Sequence, residues 1–189
     1  MEKRVGIFAD AANHLGDARE ANIKLDYNAV FQYGRKLGDI RHANLYAVRC
    51  NGDKDKGFLV AMKSIGFKRV VARHPRVRPD GQVKSDADTA LTMDVTEAAL
   101  KGELDVVVLL SGDSDFTCLV ERLVERGIEA HVIGPDRSTA WEMIVAASHF
   151  LYASQVPGFT QPAVRDAADA APVAPIAVIP AAQRPSVAA

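Results

Sequence analysis

Leu104-Asp105-Val106-Val107-Val108-Leu109-Leu110-Ser111-Gly112-Asp113-Ser114-Asp115-Phe116 is the stretch whose reading decides the fold. Its first seven residues are apolar almost throughout, the pattern of a strand covered on both faces rather than one. The polar Ser-Gly-Asp-Ser-Asp run then ends the strand, and a helix is predicted over 116–126, closed by Gly127. Outward from this block the same alternation repeats. Val5 to Ala9 is a short buried strand ending at Asp10. A helix is predicted over 27–37, with Asp26 as its N-cap and Gly38 closing it. Strands follow at 43–48 and 69–72 around a helix at 54–65. Beyond a Pro- and Arg-rich loop at 74–83 come a helix at 87–101, a strand at 129–133, a helix at 138–147 and a last extended piece at 149–152. Alternating strands and helices with continuous apolar strands argue for an α/β fold, a three-layer, doubly wound, mainly parallel sheet.

The composition is that of a soluble globular protein: 48% hydrophobic and 25% charged over 189 residues, with a net charge of −1. No whole-molecule field advertises a nucleic-acid or membrane partner, so any such signal is local. No apolar run approaches the roughly 20 residues of a membrane helix. The N-terminus lacks a signal peptide's apolar region, which makes the cytoplasm the expected location. Cys50 and Cys118 have no metal-type spacing and read as buried thiols in a reducing compartment. The five histidines (His14, His42, His74, His131, His149) are scattered without an HxxxH-type pair, which argues against zinc. After about Val156 the chain turns to Ala, Pro and Val, with Pro157, Pro162, Pro172, Pro175, Pro180 and Pro185 opposing any helix. Two regions are therefore expected: a folded domain over 1–155 and a flexible Ala/Pro-rich tail over 156–189. Within the tail, Ile176 to Ile179 is a candidate docking segment for a partner or a second copy.

In open α/β sheets, ligands bind beyond the carboxyl ends of the strands. Asp10 stands at that end of the first strand, and Asp113 and Asp115 just past that end of the strongest one. A single Asp at a strand end is as readily a helix cap or turn residue, and Asp115 is well placed to cap the helix from 116. Several converging there repel one another unless a cation lies among them. Around the next helix start, Asp86 and Asp88 suit the helix dipole. Asp94 lies almost two turns in, among Leu91, Met93 and Val95, where an unpaired carboxylate would be costly and needs a donor or a metal-bound water. Asp88 and Asp94 are six apart, roughly 120° around a helix, so both cannot face one ion. Asp88 is assigned to the site and Asp94 to its support.

Strand-Asp10-x-x-Asn13, then Lys84-x-x-x-Asp88 opening a helix with Asp94 six on, then Ser111-Gly112-Asp113-Ser114-Asp115-Phe116 after a strand, resemble the NYN domain. This is a branch of the PIN-like nuclease superfamily, and the LabA/DUF88-type proteins are similar. The resemblance covers about residues 3–155 and implies a PIN-like, Rossmannoid fold. By position, it puts the family's metal-binding and catalytic acids on Asp10, Asp88, Asp113 and Asp115, with Asn13 and Ser111 supporting. Ala12 departs from the Gly or small polar residue often found there. Other acidic folds fit less well. A dehalogenase-type phosphatase needs an Asp where Ala12 stands, a Toprim site wants Glu at Asp10, and no Gly-rich phosphate loop or GxSxG elbow is present.

Carboxylates without His or Cys suit Mg²⁺ or Mn²⁺. Between 54 and 84, nine basic residues oppose two acids, a local charge of +7. Arg73, Arg76 and Arg78 lead into Lys84, forming a flexible basic loop suited to phosphate contact without base readout. Aromatics make up only 6%. Tyr27, Phe31 and Tyr33 are expected to pack a helix, and Trp141 to pack a helix on the sheet. These readings converge on a metal-dependent nuclease, with RNA favoured because the resemblance implies it. The rivals are an RNA- or protein-binding regulatory module with little catalysis and a nucleotide phosphohydrolase.

Overall fold

The computed structural model describes residues 2–48, 52–74, 76–77, 83–84 and 86–163. Six parallel strands form the central sheet: β1 (Arg4–Asp10), β3 (Asp39–Val48), β4 (Arg69–Arg73), β7 (Val106–Leu110), β8 (Glu129–Gly134) and β9 (His149–Tyr152). Their order is β4-β3-β1-β7-β8-β9. The chain winds outward from β1 to β4, then returns to the middle and winds the other way through β7, β8 and β9. The winding direction therefore reverses between β1 and β7, which pair directly from Val5↔Val106 to Ala9↔Leu110. A crevice at such a reversal is where doubly wound folds bind ligands.

Burial explains why β7 reads as apolar throughout. Val106, Val108 and Leu110 enter one core with Ile7, Leu45 and Ile133, covered by Val30 and Phe31 of α2 (Tyr27–Leu37). Val107 and Leu109 enter the other with Phe8, Tyr46 and Val132. That second core is covered by Leu91 and Val95 of α4 (Ala87–Leu100) and by Val120 and Leu123 of α5 (Thr117–Glu125). Successive strand residues point to opposite faces, so a strand with helices on both sides needs an apolar residue at every position. The expected three-layer α/β architecture is present. Gly102 and Gly127, predicted to close two helices, have φ of +67° and +75°, where a side chain is disfavoured.

Several elements differ from the sequence expectations. Residues 11–21, for which nothing was predicted, form helix α1 (Ala11–Ala21), capped by the Asp10 side chain. Its buried residues are only Ala11, His14 and Ala18, so no apolar stripe announces it. Part of the expected basic loop is a short antiparallel ladder, β5 (Arg76–Val77) with β6 (Val83–Lys84), pairing Arg76 with Lys84. Arg78 lies outside the described residues. Packed structure also runs past 155. Val156 and Phe159 are buried at 2% and 0% exposure, and β10 (Thr160–Pro162) pairs with β2 (Ile23–Leu25). Phe159 packs edge-on against Tyr27, so proline content did not mark the end of the core. Residues 164–189, most of the expected tail, lie outside the described residues.

Trp141, at the start of α6 (Trp141–Ala146), is 71% exposed rather than packed on the sheet. Cys118 is exposed rather than buried, and Cys50 is outside the described residues. Among the described residues no helix is long and apolar enough to cross a membrane.

Candidate active site

Asp10 ends β1 and begins α1, and both facts follow from one carboxylate. Its Oδ1 accepts from the backbone N–H groups of Ala12 at 3.1 Å and Asn13 at 3.2 Å, satisfying two amides that the first helical turn leaves without partners. Its Oδ2 accepts from the Ser111 hydroxyl at 3.1 Å. Ser111, fully buried, sits immediately beyond the end of β7, across the crevice. The same hydroxyl oxygen accepts the Asp113 N–H at 3.2 Å. A second link runs in parallel, where the Gly112 N–H donates to the Asn13 side-chain carbonyl at 2.9 Å. Two polar bridges thus fix the loop after β7 to the start of α1, and Asn13 and Ser111 are the residues that build them.

Burial is the main force on Asp10. It raises the carboxyl from 3.8 to about 6, and the nearby Asp88 carboxylate adds to the effect. The Asn13 N–H, the Ser111 hydroxyl and the Ala12 N–H oppose the shift without cancelling it. Asp88 is exposed in the first turn of α4, and its charge acts on Asp10.

Asp113 is half-buried and caps a 3-10 turn, Ser114–Phe116, its Oδ1 accepting the Asp115 N–H at 3.0 Å. The predicted capping role of Asp115 is corrected here. Asp115 lies within that turn, and the N-cap position of α5 is Phe116, which makes no side-chain cap bond. Asp115 is instead exposed beside the crevice. Asp94 also has its donors identified. It accepts from Tyr46 Oη at 2.6 Å and pairs with Arg69 Nε at 3.2 Å, while Asn44 Nδ2 donates to Tyr46 Oη at 3.2 Å. These partners answer the charge of Asp94 without a metal-bound water.

Thr139 went unnoticed in the sequence. A Cβ on Gly112 would lie 2.8 Å from Thr139 Cα and 3.0 Å from Pro135 Cδ, and neither a backbone carbon nor a proline ring gives way cheaply. The Thr139 hydroxyl donates to the Pro135 carbonyl at 2.6 Å, and the Ala140 N–H donates to the Gly112 carbonyl at 2.9 Å. The glycine in Ser-Gly-Asp is therefore required by close packing, which is the one signal the sequence carried for Thr139.

Asp10 ends β1, Asp113 and Asp115 follow β7 and Asp88 begins α4, and of the four only Asp10 is buried. Among the described residues, the group of three metal-ligating side chains whose atoms converge is Glu129, His131 and His149, not the aspartates. An open, all-oxygen arrangement still fits Mg²⁺ or Mn²⁺, since such ions keep several waters and take only one or two carboxylates directly. A buried carboxyl held near another negative charge is a group that a cation would stabilise. Arg73, exposed at the end of β4, lies at the same carboxyl edge of the sheet, two positions past Val71, whose partner Tyr46 pairs with Asp10. Of Arg76 and Lys84 the backbone pairing is described, and Lys84 precedes the start of α4 by three residues.

Residues 4–155 match the model of the NYN domain. No curated protein matches the chain. A crystal structure of a protein of unknown function from Vibrio parahaemolyticus is similar at 30% identity and a TM-score of 0.71, covering 80% of this chain and 93% of that one. The domain match spans the strand-end acids, the winding reversal and the Ser-Gly-Asp loop together, and the chain belongs to the NYN domain family, a branch of the PIN-like nucleases.

Proposed function

We propose that the protein is a Mg²⁺- or Mn²⁺-dependent nuclease that hydrolyses phosphodiester bonds, with RNA as its substrate. The observation that carries this reading is Asp10, buried, raised to about 6 and joined through Ser111 to the Asp113 loop at the winding reversal. Asp10 and Asp113 would hold the ion, with Asp88 and Asp115 beside them. A bound divalent ion lowers the pKa of a coordinated water and neutralises charge on a scissile phosphate. The chain's own residues do the rest. The Ser111 and Asn13 bridges hold the Asp10 and Asp113 loops in fixed relation, so the acids are positioned before substrate arrives. Arg73, with Arg76, Arg78 and Lys84, would track the phosphate backbone through charge without reading bases. That basic edge favours a polymer over a single nucleotide.

The test is cleavage of labelled single-stranded RNA with Mn²⁺ or Mg²⁺, comparing wild type with Asp113→Asn. The amide oxygen of Asn can still accept the Asp115 N–H, so the turn is expected to survive while the charge is lost. Metal-dependent cleavage abolished in the variant supports the reading. Absent cleavage, cleavage that survives in the variant, or turnover of nucleotides alone would overturn it.

A further inference from the structure

We propose that Glu129, His131 and His149 form a second metal site, for a transition-metal ion of the Zn²⁺ class, at the amino-terminal ends of β8 and β9. In the sequence these histidines are 18 residues apart and show no ligand spacing. The parallel ladder sets His131 opposite His149 in register, and Glu129 lies two residues before His131, on the same face. One ligand atom from each residue lies within 4.8 Å of the other two.

The arrangement is poorly explained as ordinary packing. The His131 side chain is 7% exposed, and its Nε2 is buried without a hydrogen-bond partner. Glu129 Oε2 is the facing polar atom, 3.6 Å away and beyond good hydrogen-bond reach. The His149 ring lies over it, centroids 4.4 Å apart. The two imidazoles and the carboxylate each bring a potential ligand atom into one small cluster, and a cation there would answer the unpartnered His131 Nε2. On the other side of the ring, His131 Nδ1 is hydrogen-bonded to Tyr33 Oη at 2.8 Å, which fixes the ring and leaves Nε2 facing Glu129.

Two nitrogens and one oxygen are the ligand set of Zn²⁺, Co²⁺ or Ni²⁺ rather than of Mg²⁺, with a fourth position left for water. Lys3 is the opposing charge, paired with Glu129 Oε1. Both side chains are about half exposed, at 51% and 40%, so Lys3 can move aside and Oε2 remains directed at His131. The site is separate from the aspartates. Four residues along the strand direction divide the level of His131 from that of Gly112, about 13 Å. An ion here would pin the edge strand β9 to β8.

The experiment uses tag-free, chelator-treated full-length protein titrated with Zn²⁺ by calorimetry, and with Co²⁺ to read its d–d absorption. With excess Mg²⁺ present to occupy the aspartates, one equivalent is expected, with the intense band of a low-coordinate, nitrogen-ligated Co²⁺. His149→Ala, at an exposed position that should not disturb folding, is expected to weaken binding by at least about 10-fold. The double variant Asp10→Asn with Asp113→Asn should retain the equivalent, which separates this site from the nuclease reading. No stoichiometric binding, unchanged affinity in His149→Ala, or loss of the equivalent in the double aspartate variant would overturn the proposal.

Discussion

Replacing Asp10 by Asn in the metal-free protein should stabilise it at neutral pH, because the wild-type carboxylate is ionised in a place that disfavours charge. Asp10 is 6% exposed, and burial, followed by the Asp88 carboxylate, moves it from 3.8 to about 6. At 1.36 kcal/mol per pKa unit that displacement is worth about 3 kcal/mol. A carboxyl raised in the folded state binds its proton more tightly folded than unfolded. Its contribution is fully present below about pH 4 and is lost as pH rises through about 6. Asn keeps the oxygen that caps α1, and its amide can donate to the Ser111 oxygen, so the geometry should persist. Denaturant unfolding with chelator present, at intervals from pH 4 to 8, should show the two proteins converging at the acidic end. At pH 8 the variant should lead by up to about 3 kcal/mol, roughly 6–12 °C in Tm for a chain of this size. Comparing the curves cancels the histidines and other carboxylates, which titrate in both. Adding Mg²⁺ at pH 8 should close the gap by stabilising wild type alone. Parallel curves across the range, or a variant less stable at pH 8, would refute the claim that Asp10 is held under electrostatic stress.

Three further outcomes follow from named contacts. Ser111→Ala removes the hydroxyl between Asp10 Oδ2 and the Asp113 N–H, leaving a buried carboxylate and a half-buried amide short of a partner; urea unfolding should show a loss of about 1–3 kcal/mol, with RNA cleavage reduced as the two segments lose registry. Phe159→Ala empties a fully buried ring position past the expected domain end and should cost about 3–5 kcal/mol, measured the same way; a loss below about 1 kcal/mol would mean that 156–163 is dispensable to the core. Asp94→Asn weakens the Tyr46 and Arg69 contacts and should lower stability while leaving Mn²⁺ binding unchanged, whereas Asp88→Asn should do the reverse.

What the sequence determined by itself was whatever short-range pattern encodes. The unbroken apolar run 106–110 required two covered faces, Asp26 and Gly38 bracketed α2 at its observed ends, and the polar break at Ser111 put Asp113 at a carboxyl edge. Those features rest on side-chain periodicity and on the caps that helix ends need, which are legible within ten residues or so. The strand-end placement of Asp10 was equally local. Helix α1 was not legible, because it buries alanines and a histidine against the sheet instead of an apolar stripe. Asp94 was assigned a supporting role from its helix position, but its donors, Tyr46 and Arg69, come from strands 48 and 25 residues earlier. Asp115 does not cap α5 because the chain makes a 3-10 turn before the helix, and that turn is capped by Asp113. Phe159 joined the core although the residues around it read as a tail, since β10 found an edge in β2 far back in the chain. His131 met His149 only through strand register. Tertiary structure decided these matters because each depends on which distant strand lies alongside, and no local pattern of residues carries that information.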